Sequence, residues 1–141
     1  MPKDQPAIGD LKFFTDRGLG SKRLPSVLRA AGWNVMTMNE MYGAKTAEGI
    51  TDAKWIAEAT KAGFMLLTKD LAVGRVIAES RAIRLHDARV FGLSRRGIPS
   101  HMMAATFLLH QDQICQLAQR SGPYLFALSQ KECAERRLSD G

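Results

Sequence analysis

Short apolar runs alternate along this chain with segments whose apolar residues recur at helical spacing. Lys12 to Thr15 (KFFT) is short and aromatic and predicts a first strand. In Ser21 to Ala31, Leu24, Val27, Leu28 and Ala31 fall at i, i+3, i+4 and i+7, one face of a helix. Pro25 belongs in the first turn of that helix, where a missing N–H costs nothing, and Gly32 is a natural stop. Trp33 to Met38 alternates and reads as a second strand, and Asn39 to Gly49 as a loop. Thr51 can cap a helix from Asp52 to Ala62, which Gly63 ends. The run FMLL is the third strand, a helix covers Ala72 to Ala82, and Ala88 to Leu93 is the fourth strand. Ser94 to Gly97 is a turn. One long helix runs from Pro99 to Arg120, with Met103, Phe107, Ile114 and Leu117 on one stripe. Tyr124 to Leu128 is the fifth strand, and residues 130–141 form a polar tail, helical or frayed.

Strands alternating with helices imply parallel pairing, so the expected fold is an α/β three-layer sandwich around a mostly parallel sheet of about five strands. The 141 residues suit a single domain. Ligands of open α/β sheets bind outside the carboxyl ends of the strands, so the informative residues are those just after each strand.

Those positions are acidic. Asp16 follows the first strand, Glu40 the second and Asp70 the third, while Asp52 opens the second helix. Trp55 and Ile56 lie three and four residues beyond Asp52, so Asp52 shares their sheet-facing side. Two unit charges ~4 Å apart repel by about 4 kcal/mol at an effective dielectric of 20. A cluster of these acids therefore either retains protons or holds a cation, and oxygen-only ligands suit Mg²⁺ or Mn²⁺. Acid clusters of this kind hydrolyse phosphodiesters. Arg17, Lys69, Arg95 and Arg96 fall at the same edge, placed to meet phosphate. Each acid also has an ordinary use. Asp52 can favour a helix N-terminus, Asp16 and Asp70 can form turns, and Glu40 can be a plain loop residue.

Charge changes the picture modestly. The formal net charge is +6, compatible with phosphate-rich partners and equally with a solvated basic surface. No run of apolar residues is long enough for a membrane span, and MPKDQPAIGD has no signal-peptide core, so a cytoplasmic location is expected. Cys115 and Cys133 have no metal-like spacing, and His86, His101 and His110 have no ligand spacing. Gly18 and Gly20 begin a dinucleotide fingerprint that fails at Arg23.

The segments FFTDRGLG, TDAKWIAEATKAG and FMLLTKD, in that order, resemble the PIN-domain superfamily, and within it PIN-like proteins of the VapC toxin type. The likeness covers roughly residues 11 to 93. It implies a metal-dependent endoribonuclease using Mg²⁺ or Mn²⁺, the toxin of a toxin–antitoxin pair, with RNA as substrate and a cognate antitoxin as partner. Asp16, Asp52 and Asp70 match the family's acidic positions, with Glu40 as a further metal ligand at the loop after the second strand. Two departures bear on a second metal: Arg17 stands where related groups often have an acid, and Leu71, Ala72 and Val73 follow Asp70 without a fourth acid. An apolar helix face could dock an antitoxin or form a homodimer seam. Two other functions compete. A receiver-type signalling domain also gathers acids and a lysine, but it starts with paired acids where here Asp4 and Asp10 stand apart before the first strand, and Lys69 follows too early a strand. A catalytically silent RNA- or protein-binding module on the same fold is the other, because fold alone does not prove activity.

Overall fold

The computed structural model describes residues 5–71 and 76–138. Strands β1 (Lys12–Thr15), β2 (Asn34–Thr37), β3 (Met65–Thr68), β4 (Arg89–Leu93), β5 (Tyr124–Leu128) and β6 (Cys133–Arg136) form one sheet in the order β2-β1-β3-β4-β5-β6. The first five are parallel, and β6 pairs antiparallel with β5. Helices α1 (Arg23–Ala30), α2 (Met38–Tyr42), α3 (Ala44–Gly49), α4 (Asp52–Lys61), α5 (Ile77–His86), α6 (Ser100–Leu109) and α7 (Gln111–Leu117) cover both faces. This is the expected mostly parallel α/β sandwich with one strand more than the sequence suggests.

Covering both faces requires central strands that are apolar on both sides. Phe13 and Phe14, adjacent in β1, are both fully buried but in different cores. Phe13 packs with Leu24, Leu28, Trp33, Phe107 and Tyr124 under α1 and α6. Phe14 packs with Trp55, Ile56, Ala59, Leu66 and Ile83 under α4 and α5. Each such side chain contributes roughly 1.5–3 kcal/mol on leaving water.

The structure corrects several sequence expectations. Asn39 to Gly49 is not a loop but holds most of α2 and all of α3. Thr37 starts α2 through a reciprocal cap: its hydroxyl accepts from Glu40 N at 3.1 Å, and Glu40 Oε1 accepts from Thr37 N at 2.8 Å. The long helix expected from Pro99 to Arg120 breaks at His110. There the backbone leaves helical geometry, and the buried imidazole contacts Gln113 Oε1 at 2.9 Å and the Ser129 carbonyl at 2.7 Å. The tail expected to be helical or frayed instead contains β6, satisfying the free edge of β5. The helix expected over Ala72 to Ala82 starts at Ile77, and residues 72–75 lie outside the described residues. Val27, expected on the buried face of α1, is 37% exposed. Among the described residues no helix is long and apolar enough to cross a membrane.

Candidate active site

Strand register assembles the site. Thr15 pairs with Leu67 across β1 and β3, and Asp16 N donates to the Leu67 carbonyl at 3.1 Å. The next residues along the two strands, Asp16 and Thr68, are therefore neighbours at the carboxyl edge. The fully buried Thr68 hydroxyl donates a short hydrogen bond to Asp16 Oδ2 and accepts from Asp70 N at 3.1 Å. One threonine thus ties two of the expected acidic positions to the end of the same strand.

Asp16 also caps the 3-10 turn Arg17–Leu19, its Oδ1 accepting from Leu19 N at 3.2 Å. Its carboxyl is pushed up from 3.8 to about 6. Burial is the main cause; the nearby Asp52 charge adds to it, and the hydrogen bonds from Thr68 and Leu19 oppose it. Asp52 stands at the first position of α4, after the Thr51 cap. Its Oδ1 accepts from Trp55 Nε1 at 2.8 Å, so the side chain turns toward the sheet-facing side, as the helix periodicity requires.

Asp16, Asp52 and Asp70 line one cleft of about 190 Å³ together with Arg17 and Lys69, against Met38 and Ile50. Lys69 reaches it across Gly18: a Cβ on residue 18 would stand 2.9 Å from Lys69 Cε, so glycine provides the space for the lysine stem. Arg17 lines the cleft while donating to the carbonyls of Ala47, at 3.3 Å, and Glu48. Those carbonyls belong to the last turn of α3, where a cation is favoured. Arg95 and Arg96 line an adjoining cleft of about 360 Å³ that shares Lys69 and Asp70.

Glu40 is not among the residues lining these clefts. Its Oε1 accepts from Arg29 Nη2 at 2.6 Å as well as from Thr37 N, and both contacts hold the carboxyl below the usual carboxylate range. Sequence reasoning assigned no role to Thr68 or Trp55, the two donors that orient the acids. Thr68 was visible in the TKD tripeptide, and Trp55 in its spacing from Asp52.

The donor set fits a hard divalent cation: among the described residues the ligating side chains that line the cleft are carboxylates, and Asp16 is a recessed acid with a like charge nearby. Among the described residues, however, no three His, Cys, Asp or Glu side chains stand close enough to grip one ion together.

A PIN-like domain family matches residues 11–95, the stretch that carries all three acids. The chain is 33% identical over 129 residues to the Mycobacterium tuberculosis protein named "Putative ribonuclease VapC45", covering 91% of this chain and 94% of the relative. No solved structure matches. With a parallel sheet, acids after β1 and β3 and at the start of α4, and a family match across most of that span, this chain belongs to the PIN-like domain family.

Proposed function

We propose that the chain is a metal-dependent endoribonuclease that hydrolyses RNA phosphodiester bonds, and that it is the toxin of a VapBC-type pair with a cognate antitoxin. The observation that carries the reading is the shared cleft of Asp16, Asp52 and Asp70, in which burial and the Asp52 charge penalise an ionised Asp16. The relative's printed name supports the reaction class. Asp16, Asp52 and Asp70 are the residues that would hold Mg²⁺ or Mn²⁺, on drawing closer around the ion than they stand here. When bound, the ion supplies Lewis-acid chemistry, activating water and neutralising charge on the phosphate. Thr68 and Trp55 orient Asp16 and Asp52 as outer-shell partners. Lys69 presents its ammonium to the scissile phosphate, and Arg95 and Arg96 hold the RNA backbone beside it.

The test incubates purified protein with total RNA and a tRNA pool in Mg²⁺, Mn²⁺ or EDTA, beside Asp70→Asn. The expected result is cleavage that needs the metal and is lost in the variant. Folded, partner-free protein that cleaves nothing with either metal would overturn the reading. One observation favours a second reading, a catalytically silent binding module: the acids are not drawn together tightly enough to close on an ion. Under it, RNA binding would proceed without metal and Asp16→Asn would bind equally well.

A further inference from the structure

Strand β6 brings a second pair of arginines to the cleft. Leu125 pairs with Arg136 and Leu128 with Cys133, and directly paired residues share a face of the sheet. Tyr124, Phe126 and Leu128 face the α1/α6 core, whereas Leu125 faces the α4/α5 core. Cys133 and Glu135 accordingly lie on the first face. Cys133 packs against that core, and Glu135 ion-pairs at 2.7 Å with Arg120, whose guanidinium lies over Tyr124 and Phe126. Arg136 lies on the opposite face, beside Leu125. Leu138 then returns to the α4/α5 core, where Arg84 Nη2 donates to its carbonyl at 2.7 Å. The arginine pair is thus held between a strand and an anchored leucine.

Arg136 and Arg137 line a groove of about 610 Å³ whose other wall is Lys69 and Asp70, the pair that also borders both clefts above. Arg96 lines the groove as well, and Leu71, half-buried, adds apolar surface over the buried Leu93 and Leu125. Among the described residues four cations and one carboxylate line it. Arg96, Arg136, Arg137 and Lys69 are all exposed.

We propose that this groove carries the backbone of single-stranded RNA away from the acid cleft, with Arg136 and Arg137 binding phosphates beyond the scissile one. The inference rests on the ribonuclease reading and assigns its substrate a path. Guanidinium forks match phosphate oxygens bidentately. Leu71 offers its exposed part to a base only if that base is unstacked, which selects a single strand over a duplex. Contacts of arginine to phosphate carry no sequence information, so the path is tolerant of sequence.

The test measures fluorescence anisotropy of a labelled mixed-sequence single-stranded RNA in EDTA, across a salt series, so that cleavage cannot interfere. Wild type is compared with Arg136→Gln, with Arg136→Gln/Arg137→Gln, and with Lys61→Gln/Arg81→Gln. The last removes the same charge from exposed sites on α4 and α5 outside the groove. Losing two phosphate contacts should reduce the slope of log K against log salt by about 1.4, and losing one by about 0.7. The double variant should bind about tenfold more weakly near physiological salt, with the Lys61/Arg81 control unchanged. Equal affinities and slopes in wild type and the β6 variants, an equal loss in the control, or no RNA binding by wild type would overturn the groove. A parallel cleavage assay in Mg²⁺ separates the two ideas. Cleaving protein with unaffected β6 variants refutes the groove alone, whereas β6-dependent binding without any cleavage supports the groove and refutes the nuclease.

Discussion

Replacing Asp16 by asparagine should change the pH dependence of stability in a way that its surroundings dictate. The folded protein raises this carboxyl from 3.8 to about 6 through burial and the Asp52 charge, against the pull of Thr68 and Leu19. Because the folded value lies above the unfolded one, protonation favours the fold. That stabilisation is complete below 3.8 and is lost as pH rises through about 6. The full difference corresponds to about 3 kcal/mol, of which a little under half is regained at roughly pH 5 and almost none at roughly pH 8. Asparagine cannot titrate. Its altered hydrogen bonds to Leu19 and Thr68 shift stability by an amount that does not depend on pH, and groups that do not feel the Asp16 charge cancel between the two proteins. Urea unfolding in EDTA should therefore show the wild type gaining on the order of 1 kcal/mol on the Asp16→Asn variant as pH falls between those two conditions. A difference that stays constant would refute the claim that Asp16 is an acid penalised by its site. The same reasoning extends to metal. At the higher pH, Mg²⁺ should raise the urea midpoint of wild type and leave Asp16→Asn nearly unmoved; an equal rise in both would place the ion elsewhere.

Three further outcomes follow from the same contacts. Trp55→Phe keeps the packing but removes the donor to Asp52 Oδ1, so Mg²⁺ affinity read by calorimetry should fall roughly tenfold or more, with about 1 kcal/mol lost in urea melts. Thr68→Val removes the hydroxyl shared by Asp16 and Asp70; cleavage should drop at least about tenfold while circular dichroism stays native, and unchanged turnover would dismiss the threonine as a positioning residue. Glu40→Ala should cost about 1 kcal/mol through the lost cap and ion pair and leave Mg²⁺ affinity intact, whereas a large loss of affinity would return Glu40 to the metal.

How far the sequence was readable depended on the range of the interaction involved. The alternation of buried strands and amphipathic helices is a local signal, and KFFT, FMLL and YLFAL became β1, β3 and β5 to within a residue. The placement of acids after strands is equally local: with parallel crossovers, Asp16, Asp52 and Asp70 are carried to one edge. One difference from the structure is also local, and one is not. The Thr37–Glu40 cap that starts α2 was written in TMNE, and in taking Glu40 for a loop acid the reading passed over that cap. The break at His110 was hidden because periodicity continues across it. Only the buried imidazole, reaching Ser129 on a distant segment, shows why the helix stops.

The rest belonged to tertiary structure. Nothing in the spacing of Thr68 shows that its hydroxyl will meet Asp16, because that contact comes from the pairing of β1 with β3. Nor does the polar tail declare itself a strand. CAER has weak β character alone, and it is ordered by hydrogen bonds to the open edge of β5 and by Arg120 on Glu135. Its register then decides which face Arg136 occupies, and with it whether two arginines border the acids or lie away from them. Period and composition act within a few residues and can be read along the chain. Register, burial of a carboxylate and the field of one acid on another are properties of segments far apart in sequence, and they exist only once the sheet has brought those segments together.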